Sequence, residues 1–108
     1  MDPTMSDTIS NPSNQAFIEQ VRTKFRTSVA GAEDIELELT EIVGHQANPG
    51  SECFSLFFRG PTSPMLQQGM RKAEHPRLGA MLLFFTPIAL DKEGAMYEVV
   101  FNRKIPKP

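Results

Sequence analysis

Three runs crowded with large apolar residues, Glu52–Arg59, Ala80–Ile88 and Ala95–Asn102, dominate the second half of this sequence. They hold six of its eight phenylalanines and its only tyrosine. Each run has strand length, and each is bounded by Gly, Pro, Asn or Asp. Such a pattern specifies a small antiparallel β domain with a Phe-rich core and does not spell out an active site.

The rest of the chain fits around these runs. Residues 1–13 are polar and aperiodic and read as a flexible leader. A single β domain over residues 14–104 follows, then a Pro-containing tail, 105–108. Asn14 is placed to cap a short helix from Gln15 to about Arg22, with Phe17, Ile18 and Val21 on one face. Lys24–Val29 alternates as a half-exposed first strand, and Ala30–Asp34 turns the chain. In the second strand Ile35, Leu37 and Leu39 face inward, and the phase then fails at Thr40–Glu41. A bulge there would return Ile42 to the core and bend the strand, as a small barrel requires. Asn48–Ser51 fits a type II turn with Gly50 at positive φ. Further strands are expected at Glu52–Arg59, Gln68–Glu74, Ala80–Ile88 and Ala95–Arg103. The Gly60–Pro64 loop, the His75–Gly79 corner and the Asp91–Gly94 hairpin divide them.

The expected fold is therefore all-β and mainly antiparallel, a six-stranded small barrel or sandwich with one short N-terminal helix. Phe54, Leu56, Phe58, Leu83, Phe85, Val99 and Phe101 form its expected core. The third and fifth strands are apolar on both faces, and such strands are covered on both. Their outward set, Phe57, Leu82 and Phe84 with Met96, exceeds what one short helix should cover. It is the candidate interaction surface, with another protein or a second copy as the expected partner.

Composition removes several function classes. A net charge of −2 gives no basic field for nucleic acid. No apolar run is long enough to span a bilayer as a helix, and no secretory signal is visible. Cys53 is the only cysteine, so no internal disulfide forms; the expected location is cytoplasmic. Charge is uneven along the chain: residues 1–58 carry three basic and nine acidic side chains, residues 59–108 eight and four. Either these strands pair across one sheet or the subunit is dipolar and stacks head to tail.

Catalytic constellations are nearly absent. The seven glycines are scattered through turns, so none cradles a phosphate. His45, Cys53 and His75 match no zinc-ligand spacing. Glu74 and His75 adjoin on a strand and point to opposite faces, so they form no dyad; His75 instead reads as a residue bonding the backbone of a corner stiffened by Pro76. No catalytic, cofactor-binding or metal-binding residue is assigned, and the expectation is a protein without enzymatic activity.

Taken in order, Phe54-Ser-Leu-Phe-Phe-Arg-Gly-Pro61, Leu66-Gln-Gln-Gly69, Glu74-His75, Leu78-Gly79, Leu83-Phe-Phe-Thr-Pro-Ile88 and Tyr97-Glu-Val-Val-Phe-Asn102 resemble a small bacterial family. This is the domain of unknown function catalogued as number 6916. The resemblance covers roughly residues 17–103 and implies no activity and no catalytic residues. It does imply a setting, because members are often encoded beside tail-collar-type proteins of phage-like or fibre assemblies. Two departures bear on the first and fourth strands: Met70-Arg71 stands where the family tends to place an aromatic residue, and Arg22-Thr23 replaces a glycine usual near the first strand. The expected function is a non-catalytic structural or protein-interaction module, accessory to a phage-tail-like or fibre assembly. The alternative is a small-molecule carrier using the barrel interior.

Overall fold

A computed structural model describes residues 11–29 and 34–104. Most of the expected leader, the first turn at residues 30–33 and the tail lie outside the described residues. The elements are helix α1 (Asn14–Ile18) and strands β1 (Lys24–Thr27), β2 (Ile35–His45), β3 (Ser51–Gly60), β4 (Gly69–His75), β5 (Gly79–Asp91) and β6 (Gly94–Lys104). All strand pairs are antiparallel, and the sheet closes on itself in the order β1-β2-β3-β6-β5-β4. The expected six-stranded β fold is thus a barrel, which leaves no strand at an open edge of a flat sheet.

Two meanders, β1-β2-β3 and β4-β5-β6, make the ring. Closure rests on Arg26 opposite Glu74 and Thr27 opposite Ala73. The Thr27 hydroxyl reinforces it by donating to the Lys72 carbonyl at 2.8 Å. The bulge in β2 falls where the phase of the sequence breaks: pairing with β3 shifts between Leu39 and Glu41, and Ile42 returns to pack on the core. A second shift, between Pro87 and Ala89, coincides with a change of partner. The first half of β5 pairs with β4, through Phe85, and the second half pairs with β6, from Thr86. One long strand thereby turns a corner of the barrel.

The interior is filled by side chains. Phe25, Phe58, Phe85 and Tyr97 form a chain of edge-on ring contacts across it, with centroids 5.2 to 6.1 Å apart. Of the seven expected core residues, six are buried; Phe101 is only half-buried. Its ring stacks on Phe54 at 4.9 Å near the barrel mouth, with the Arg103 guanidinium over it at 4.9 Å.

The two barrel ends are stoppered differently. At one end α1 inserts Phe17 between Phe25, Phe54 and Phe101. At the other, Leu66 of the β3–β4 loop is buried, and its N–H donates to the Tyr97 hydroxyl at 2.8 Å. The helix is shorter than the sequence suggests. Ser13, not Asn14, is its N-cap, accepting from the Ala16 N–H at 3.0 Å. Beyond Ile18 the chain tightens into turns in which Gln20 bonds Phe17 and Val21 bonds Ile18. Phe17 is therefore the helix's buried anchor, Val21 packs partly, and Ile18 points to solvent.

The Asn48–Ser51 turn forms as expected, with Gly50 at φ 81° and the Ser51 N–H on the Asn48 carbonyl at 3.0 Å.

Candidate functional site

The outer surface of β4, β5 and β6 carries a group of exposed apolar side chains. Met70 and Phe84 are cross-strand partners, and Leu82 lies two residues from Phe84 on the same face. Val100 lies on β6 two residues beyond Glu98, past the last pair of β5 with β6, Thr86 with Glu98. Their exposures, 60% for Met70, 52% for Leu82, 44% for Phe84 and 57% for Val100, are high for side chains of this size. Leu82 and Phe84 of the expected surface are thus open to solvent. Phe57 and Met96 are half-buried and lie farther along the same wall, Phe57 beside Glu98 on β6 and Met96 beside Arg59 on β3. The helix could have covered this wall, but its apolar contacts are inside the barrel mouth. The expectation that strands apolar on both faces are covered on both does not hold for β5 among the described residues. Met70 joins the exposed group instead of the core.

Charges border this group. Lys72 sits opposite Leu82 and forms no ion pair among the described residues. Glu98 sits opposite Thr86, one level beyond Phe84. Ion pairs elsewhere join Arg103 to Glu52 and Arg26 to both Asp34 and Glu74. Among the described residues only Arg26–Glu74 and Arg103–Glu52 join the two halves of the sequence; the other three ion pairs lie within one half.

Sequence reasoning missed a polar cluster on the neighbouring wall. Ser55 is completely buried although it points away from the core. Its hydroxyl donates to Glu98 Oε2 at 2.7 Å, and His45 Nε2 lies 2.8 Å from the Ser55 Oγ itself. Because the serine proton goes to the carboxylate, His45 is the donor of its pair. This order differs from a nucleophile–base–acid relay, in which serine gives its proton to histidine. The cluster orients Glu98 on the surface. The only signal in the sequence was a serine amid apolar neighbours.

His75 is a corner residue, as its Pro76 context suggests. Its Nδ1 accepts from the Arg77 and Leu78 N–H groups at 3.0 and 3.3 Å, and its Nε2 donates to the Thr23 hydroxyl at 2.8 Å. That hydroxyl passes its own proton to the Gln20 carbonyl. Burial, then the nearby Arg77 charge, lowers the imidazole pKa below its ordinary 6.5, so the ring is neutral. Glu74 points outward to Arg26, so the two adjacent residues do diverge. A cleft of about 570 Å³ opens beside this corner, lined by Phe25, His75 and charges of both signs. His45 and Cys53 face each other across β2 and β3, while His75 packs against Phe25. No group of three or more His, Cys, Asp or Glu side chains among the described residues could hold a metal ion. No helix among them is long and apolar enough to cross a membrane.

No curated protein and no solved structure matches the chain. One family does: the sequence pattern of the Domain of unknown function (DUF6916) spans residues 12–101, from the strap ahead of the helix to the end of the core in β6, and the chain belongs to that family.

Proposed function

We propose that this protein is a non-catalytic structural or protein-interaction module, with the wall around Leu82 and Phe84 as its docking surface. The observation that carries the reading is the exposure of Met70, Leu82 and Phe84 side by side on β4 and β5, with Val100 exposed on β6. Contiguous apolar surface of this kind, bordered by charge, is typical of sites that bind another protein. A carrier would need space inside the barrel, and the ring contacts from Phe25 to Tyr97 occupy it.

The finer reading is that of a bacterial accessory of a phage-tail-like or fibre assembly. It draws on the genomic company that members of this family keep, beside tail-collar-type genes, and a small stoppered barrel with one sticky wall suits such a role. Co-expression with the products of neighbouring genes tests it. Capture by the native chain that is lost in a folded Leu82→Ser/Phe84→Ser variant is the expected result. Capture indifferent to both substitutions would overturn the docking wall.

A further inference from the structure

We infer that the wall of β4, β5 and β6 is a self-complementary surface on which a second copy of this chain docks about a two-fold axis through Phe84. The inference rests on the docking reading above and names its occupant. Three positions carry it. Lys72 lies on β4, one level to one side of Phe84, since Lys72 pairs with Leu82 and Met70 with Phe84. Glu98 lies on β6, one level to the other side, since it pairs with Thr86. Phe84 therefore stands at the midpoint of a diagonal with a cation at one end and an anion at the other.

A two-fold axis through that midpoint, lying in the plane of contact and across the diagonal, exchanges its ends. Lys72 of each copy then faces Glu98 of the other, while the two Phe84 rings meet on the axis. This is the defining geometry of an isologous contact, in which one patch is its own complement. The Ser55 hydroxyl, which bonds Glu98 at 2.7 Å, holds that carboxylate in place from beneath. A net charge of −2 adds little repulsion between copies. A stable contact needs roughly 800 Å² from each copy, so the rim must extend beyond the apolar group toward Phe57 and Met96.

Sedimentation velocity across the micromolar range tests the inference. The native chain is expected as a dimer and Phe84→Ser as a folded monomer. Lys72→Glu and Glu98→Lys should each weaken self-association at least about tenfold, because each places like charges face to face. Mixed together, those two variants should form a heterodimer, since every cross-contact then joins opposite charges. Glu98→Gln replaces Glu98→Lys if the latter fails to fold, and it should weaken the dimer without supporting the heterodimer. A native chain that stays monomeric, or a mixture that associates no better than its components, would overturn the inference. The broader docking reading has its own readout. A monomer that binds an apolar dye, and loses that binding in Phe84→Ser, retains a docking wall for a different partner; a monomer that binds none does not.

Discussion

His75 Nε2 and the Thr23 hydroxyl lie 2.8 Å apart, joining the β4–β5 corner to the segment that leads from the helix into β1. With Nδ1 accepting two backbone N–H groups, the ring is held neutral and its pKa is lowered, chiefly by burial and then by Arg77. The unfolded chain then binds the extra proton more readily than the folded one. Stability is full above the ordinary imidazole pKa and is lost as pH falls through the lowered folded value. Urea midpoints should decline as pH falls below the ordinary imidazole value of 6.5, and His75→Gln should flatten that decline. Added zinc should leave the melting temperature unchanged, because both ring nitrogens are engaged.

Phe58 touches Phe25 and Phe85 in the middle of the barrel, with centroids 5.2 and 5.4 Å away. Phe58→Ala should cost about 3–5 kcal/mol, a large part of a small domain's stability. An unchanged denaturation midpoint would show that the ring network does not hold the barrel together.

Arg22 is the single non-glycine residue at positive φ among the described residues, at 78°. Its exposed side chain makes only a long contact, 3.8 Å, with Glu38. Glycine relieves the left-handed strain of about 1–2 kcal/mol while adding unfolded-state entropy. Arg22→Gly should therefore stabilise the protein by about 0.5–1 kcal/mol in chemical denaturation, whereas Arg22→Val should destabilise it.

Tyr97→Phe removes the acceptor of the buried Leu66 N–H. The orphaned donor should cost about 1–3 kcal/mol and loosen the β3–β4 loop. Proteolysis within residues 61–68 should accelerate more than cleavage elsewhere.

Much of this architecture was legible in the sequence because strand periodicity reports which face is buried. Ile35, Leu37 and Leu39 announced their face, and the phase error at Thr40–Glu41 announced the bulge. Gly50 and Gly94 marked turns, and Pro76 marked the His75 corner. Periodicity does not report what covers a face. Phe17 therefore read as part of a lid on the outer wall, although it plugs the barrel mouth, which exists only once six strands have closed. Leu66 gave no signal for the same reason, lying in a Pro-rich loop without a period. Ser55 was illegible because its burial comes from His45 and Glu98 on two other strands. Leu82 and Phe84 were recognised as facing outward, but only the placement of the helix leaves them open.

If the wall around Phe84 docks a second copy of this chain, as proposed, its residues alone should respond to protein concentration. Amide ¹H–¹⁵N spectra recorded at increasing protein concentration test it most directly, residue by residue. Concentration-dependent shifts are expected only at Met70, Lys72, Leu82, Phe84, Glu98, Val100 and their immediate neighbours, all abolished by Phe84→Ser. Spectra that do not change with concentration, or changes centred on the helix end around Phe17 and Arg103, would contradict it.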